Sequence, residues 1–233
     1  MRKTTSAVGA VALAVLASTA AVDASLSKSE AKRIEDAGAV LGEIHAAPDK
    51  GIPGDLWDKA SCVAVIPGLK KAAFVFGGEF GKGLLSCRHG NAWSAPVFME
   101  LERGSWGFQI GAQSVDLVLL VMNEAVDKLL RDKVTLGGEA SAAAGPVGRD
   151  ARAATDAQLK AEILSYSRTQ GLFAGIDVAG GVLRPDKDDN ADLYGANVTP
   201  RDVVLGGSIT PPAVTLPFIH SLERSWPGTT GHP

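Results

Sequence analysis

Glycine punctuation through the middle of this chain constrains its fold more than any other feature. Gly77-Gly78-Glu79-Phe80-Gly81-Lys82-Gly83 leads into Trp93-Ser94-Ala95-Pro96. Gly107-Phe108-Gln109-Ile110-Gly111 leads into an apolar run that ends at Met122. A third stretch opens with Ala144-Gly145-Pro146-Val147-Gly148-Arg149. It continues through Ser165-Tyr166-Ser167, Gly171-Leu172-Phe173-Ala174-Gly175 and Tyr194-Gly195. Glycines set among apolar residues indicate tight hairpins and closely approaching backbones. The 27 glycines and the low aromatic fraction of 6% fit that indication.

The strands follow from this punctuation. Residues 62–66 form a continuous apolar run. Residues 72–78 and 82–87 are expected to make a hairpin around a glycine turn. Residues 96–101 and 105–112 are expected to make a second hairpin, turning at Arg103-Gly104. The run 115–122 is apolar save for Asp116, as in a strand buried on both faces. The small-residue run 137–145 can pass close under another element, and 162–169 with 172–183 reads as a further strand pair.

Helices lie at the edges of this β-rich centre. Ser27 and Glu30 form a capping box, in which each side chain satisfies a backbone amide of the other. Ile34, Ala37, Val40, Leu41 and Ile44 then recur at helical spacing, so 27–46 reads as a helix ended by Pro48. Shorter helices are expected at 54–59, at 123–132, between Pro185 and Tyr194, from Pro200, and over the amphipathic stretch 213–226. The fold class is therefore α+β: a mainly antiparallel, strongly curved sheet or half-barrel with peripheral helices.

Residues 1–24 read as a cleaved signal peptide. Arg2 and Lys3 give a positive start, 7–17 is small and apolar, and Val22-Asp23-Ala24 offers a cleavage site, with Ala21 as the fallback. The apolar run is shorter than the roughly 20 residues that span a bilayer. One domain is expected over 25–226 and a loose tail over 227–233, in a protein exported to a periplasm or the extracellular space. Removing residues 1–24 leaves 21 basic against 25 acidic residues, so bulk charge does not draw the chain to nucleic acid or anionic membrane. In an oxidising compartment Cys62 and Cys87 are expected to form a disulfide. A zinc reading would add His89 but finds no fourth ligand at suitable spacing.

Catalytic patterns are weak. The glycine run at 77–83 lacks the Gly-Lys-Ser/Thr order and the following helix of a phosphate-binding loop. Ser25-Leu26-Ser27-Lys28 matches the S-x-x-K spacing, but no Ser-Asp-Asn or Lys-Thr-Gly partner follows. No G-x-S-x-G elbow raises a serine, and His45, His89, His220 and His232 show no pattern of a general base. Asp186-Lys187-Asp188-Asp189-Asn190 begins like a calcium loop, but the sixth and twelfth places are Ala191 and Asn197. It reads as a capped, solvated acidic turn. No cofactor, metal or enzymatic activity is expected.

Basic residues carry the alternative to catalysis. Lys28, Lys32 and Arg33 crowd the first helix, and Lys70 with Lys71 precedes a strand. An anionic membrane attracts each suitably placed basic residue by about 1 kcal/mol. Glu30, Glu35 and Asp36 offset several of these charges, so ordinary solvated charges remain an equal reading. Arg149 and Arg152 are open to two readings: pairing with carboxylates at a sharp bend, or bidentate binding of lipid phosphate. Trp93, Trp106, Phe108 and Phe173 default to core packing.

In their order, the glycine-marked elements resemble the SYLF domain family over roughly residues 50–208. The resemblance implies lipid binding more strongly than catalysis, and in eukaryotic members a phosphoinositide-binding or actin-associated module. The expected function is an exported, non-enzymatic protein that binds anionic phospholipid head groups through Lys28, Lys32, Arg33, Lys70, Lys71, Arg149 and Arg152. The alternative is an envelope scaffolding protein that binds another protein.

Overall fold

The structure is a computed structural model that describes residues 26–46, 51–73, 76–106, 111–131, 133–147, 160–169 and 172–225. The signal segment, the tail beyond 225, and Arg149 with Arg152 lie outside the described residues, as do the side chains of Lys71, Trp106 and Phe108.

Two helices come first, α1 (Lys28–His45) and α2 (Gly54–Lys59). The strands β1 (Cys62–Ala73), β2 (Phe76–His89), β3 (Ala92–Trp93), β4 (Val97–Trp106) and β5 (Gly111–Val121) follow. After α3 (Asn123–Leu129) come β6 (Val134–Thr135), β7 (Ala142–Ala144), β8 (Ile163–Thr169), β9 (Leu172–Gly175) and β10 (Val182–Pro185). The described chain ends with α4 (Lys187–Tyr194), α5 (Pro200–Leu205), a 3₁₀ turn (Ala213–Thr215) and α6 (Leu216–Ser225). The strands form one sheet in the order β6-β10-β4-β2-β1-β5-β8-β7, with β3 beside β2 and β9 beside β8. It is curled like a half-barrel and antiparallel throughout except for the β7–β8 pair.

Each face of the sheet covers its own core. On one face Ala64, Ile66, Leu69, Leu117 and Leu119 pack with α3 and α5. On the other Val63, Val65, Leu84, Phe98, Val118 and Leu120 pack under α1, α2 and α6. β5 feeds both cores by simple alternation from Leu117 to Val121, which is why that part of its sequence is apolar without interruption. The α1 stripe of Ile34, Ala37, Val40, Leu41 and Ile44 is buried as the spacing predicts, and the Ser27–Glu30 capping box is formed.

Both expected hairpin turns are displaced. The glycine run 77–83 is not a turn but the first half of β2, and Arg103-Gly104 lies inside β4. The cause sits in the neighbouring strand. Between Val65 and Lys70, β1 advances one residue more than either β2 or β5, so it carries a β-bulge at Pro67-Gly68. Gly68 takes φ +61°, which a side chain would resist, and its N–H donates to Asp116 Oδ1 at 2.9 Å. The bulge presses on β2. A Cβ at Gly81 would lie 2.6 Å from Ile66 Cγ2, and one at Gly83 would lie 2.0 Å from the Val65 carbonyl oxygen. Those glycines serve close backbone approach within a strand.

The reading of 172–183 as one strand also divides. β9 pairs with β8, whereas β10 sits at the far side of the sheet beside β4 and β6. The small-residue run behaves as expected: a Cβ on Gly145 would fall 2.0 Å from Cζ of the fully buried Tyr166. Cys62 and Cys87 face one another across β1 and β2 and are joined in a disulfide.

Candidate functional site

The β1 bulge borders a cleft of about 350 Å³ between α1 and the β1–β2 pair. Lys32, Arg33 and Asp36 of α1 line one wall, Pro67, Gly68 and Lys70 of β1 a second, and Phe80 with Lys82 of β2 the third. Four of the five charged lining residues are cations. Phe80 stands opposite Lys70 in the register and is 44% exposed, unusual for an aromatic residue in the middle of a sheet.

The cations fall into two groups. Lys32 is exposed and bridges to Asp36 at 2.7 Å one turn along α1, which raises its pKa through that hydrogen bond. Lys70 is exposed and has no ion-pair partner among the described residues. Arg33 and Lys82 are held from behind by α4. Arg33 hydrogen-bonds Asp189, with the two side chains only 13% and 11% exposed, and lies 5.2 Å above the Phe98 ring. Lys82 reaches Asp186 at 2.5 Å and Asp189 at 3.3 Å.

Burial sets the titration of this network. It pushes the Asp186 carboxyl above its usual range, and the Lys82 hydrogen bond offsets this only in part. Burial also raises Asp189, but the Arg33 hydrogen bond and charge outweigh it and leave Asp189 below its ordinary value. Desolvation lowers Lys82, yet Asp186 and Asp189 together hold its proton more tightly than usual.

The expected solvated acidic turn is therefore a buried anchor. Asp186 caps α4 by accepting from the Asp189 N–H, and both acids are under 9% exposed. Asn190 completes the anchor: its amide accepts from the Phe98 N–H and donates to the Phe98 carbonyl, both at 2.8 Å. Sequence reasoning missed Asp186, Asp189, Lys82 and Phe80. The signal for the last two was the alternation Phe80-Lys82-Leu84 on one strand face, masked by taking the glycines as a turn.

Of the basic residues proposed from sequence, the fold brings Lys32, Arg33 and Lys70 to one cleft. Lys28 is exposed one turn before Lys32 and does not line it. Lys71 occupies its strand position opposite Glu79 and Gln113. Trp93 and Phe173 are buried, as core residues. His89 Nε2 lies 2.7 Å from the Val204 carbonyl, and the described residues hold no group of three or more His, Cys, Asp or Glu side chains suited to a metal. The Tyr194 hydroxyl donates to the Pro96 carbonyl, so the Trp93–Pro96 and Tyr194-Gly195 elements meet in space.

The family profile described as "Ysc84: Las17-binding protein actin regulator" matches residues 102–225. This chain belongs to the Ysc84, or SYLF, family. It is 34% identical over 180 residues to "LAS seventeen-binding protein 3" of Saccharomyces cerevisiae, covering 75% of this chain and 39% of that protein. It is 32% identical over 191 residues to "SH3 domain-containing YSC84-like protein 1" of Bos taurus, covering 80% of this chain and 55% of that protein. The SYLF chain thus spans about two fifths to just over half of these curated relatives. No solved structure matches it significantly.

Proposed function

We propose that this SYLF chain is a non-enzymatic lipid-binding module that docks anionic phospholipid head groups in the cleft between α1 and the β1–β2 pair. The observation that carries the proposal is the convergence of Lys32, Arg33, Lys70 and Lys82 around one cleft beside the exposed Phe80. Lipid phosphate is a strong acceptor for charge-assisted hydrogen bonds from ammonium and guanidinium groups. Phe80 adds an apolar contact at the depth where a membrane surface meets the head groups. Lys28 extends the cationic edge along α1, and Lys71, Arg149 and Arg152 are secondary contributors. With residues 1–24 as a cleaved leader, the target is a membrane met after export, in a periplasm or outside the cell.

Vesicle flotation tests the proposal. The chain should rise with vesicles of phosphatidylcholine containing phosphatidylserine and stay down with phosphatidylcholine alone. Lys32→Gln combined with Lys70→Gln should weaken partitioning roughly thirtyfold, on the usual attraction per basic residue. Equal flotation on both vesicle types, or no effect of the double variant, would refute it.

A protein partner is the second reading, favoured by the family's description as Las17-binding actin regulators. Co-sedimentation with filamentous actin in the absence of lipid tests it. A Lys32→Gln/Lys70→Gln chain that still pellets with actin would place such a contact outside the cleft.

A further inference from the structure

The cleft between α1 and the β1–β2 pair is lined by a carboxylate as well as by cations. Asp36 sits one helical turn beyond Lys32, and its two oxygens accept from the Lys32 ammonium at 2.7 and 2.9 Å. In a site that took a bare anion, this carboxylate would only repel the ligand. We propose that Asp36 makes the cleft selective for a head group with an ammonium beside its phosphate, the phosphoserine class, a preference that rests on the head-group reading above. Amine-free head groups of the same net charge are then the disfavoured ligands.

The charges divide by what already holds them. Asp189 grips Arg33, and Asp186 with Asp189 grips Lys82, so these two cations are paired toward α4. Lys32, Asp36 and Lys70 form the accessible set. The Lys32 side chain is 71% exposed and that of Asp36 44%, so a ligand can reach both ends of their bridge. An exposed bridge of this kind is weak, and opening it costs little. Phosphoserine carries the complement of that set: two anions and one cation against two cations and one anion. Its phosphate and ammonium, two carbons apart, enter the bridge with the phosphate on Lys32 and the ammonium on Asp36. Its carboxylate is left for Lys70. A phosphoglycerol head group brings one anion and no cation, so drawing Lys32 away leaves the Asp36 charge without a counter-ion. Phe80 supports the same choice, because its exposed ring lines the cleft and the face of an aromatic ring attracts an ammonium.

The carboxylate is held in place by the rigidity of its helix. Ile34, Ala37 and Leu41 bury the opposite side of α1, and the Ser27–Glu30 capping box fixes its start. Neither tie uses Asp36, so that residue can be changed without loosening α1.

Flotation with vesicles of phosphatidylcholine carrying equal mole fractions of phosphatidylserine or phosphatidylglycerol is the test, because the two lipids bring the same net charge. The parent chain should partition about fivefold more strongly to the phosphatidylserine vesicles. Asp36→Ala should bring the two toward equality, chiefly by raising partitioning to phosphatidylglycerol, since a repelling charge has left the cleft. A variant that merely damaged the fold would lose binding to both. Should the alanine variant melt below the parent, Asp36→Asn, which keeps the shape of the side chain, decides in its place. The inference is overturned by a parent chain that floats equally with both lipids, or by an Asp36→Ala chain that keeps the parent's preference; in either case the head-group reading stands. Flotation with neither lipid overturns the two together.

Discussion

Replacing Arg33 with methionine separates the anchoring of α1 from its apolar packing. Methionine keeps the stem of the arginine against the sheet but removes the charge that meets Asp189. Breaking a fully buried ion pair costs about 3–5 kcal/mol, because the surviving charge stays buried. Here the side chains are 13% and 11% exposed, and Lys82 remains 3.3 Å from Asp189 as a substitute partner. That lowers the ion-pair loss to about 2 kcal/mol. Loss of the guanidinium over Phe98 adds about 1 kcal/mol. Arg33→Met should therefore destabilise by about 3 kcal/mol, or roughly 6–12 °C in a chain of this length. Asp189→Asn should cost about 2 kcal/mol, and the double variant clearly less than the sum, with a coupling near 1.5 kcal/mol. Urea unfolding of all four proteins at pH 7, followed by circular dichroism, closes the cycle. A coupling below about 0.5 kcal/mol would make this an ordinary surface pair and refute the anchoring role.

Gly83→Ala should cost about 3 kcal/mol or more, because its methyl meets a strand carbonyl that cannot retreat. Gly104→Ala, where nothing lies within 4 Å, should stay within about 0.5 kcal/mol in the same urea titration. Cys62→Ala with Cys87→Ala opens a loop with a sequence separation of 25 and should lose about 3 kcal/mol; dithiothreitol should then have no further effect on its melting temperature. The pH profile should divide between the two buried acids. Asp186 titrates above its unfolded value of 3.8, so its contribution is complete below that pH and is lost as pH rises through the raised value. Asp189 titrates below 3.8, so its contribution is present above that pH and is lost as pH falls through the lowered value. Asp186→Asn should erase the first slope and keep the second, as read from urea midpoints between pH 3 and 6.

What was legible in the sequence was what neighbouring residues decide. Ser27 with Glu30, and Pro200 after Thr199, mark helix starts because each cap is made within a single turn. The β5 run from Leu117 to Val121 reads correctly because burial on two faces leaves no polar position there. The β2 glycines misled because their requirement is not local: Gly83 is dictated by the Val65 carbonyl on another strand. The site was half visible for the same reason. Lys32 and Lys70 stand out as surface charge, but Arg33 finds its partner 156 positions away at Asp189. No periodicity connects two such residues, so the acidic stretch read as solvent-facing when it is the support of the cleft.

The extra residue at Pro67-Gly68 acts as a parity switch. Side chains alternate along a strand, so one inserted position exchanges inward and outward for everything beyond it. Ile66 and Leu69 consequently enter the same core, and Lys70 emerges on the helix-covered side next to Phe80. Were the same residues paired without the bulge, the lysine would turn toward the opposite interior and an aliphatic side chain would come out in its place. The positive character of the cleft thus depends on the bulge absorbing that extra residue, and the same sequence paired without it would present oil where this one presents charge.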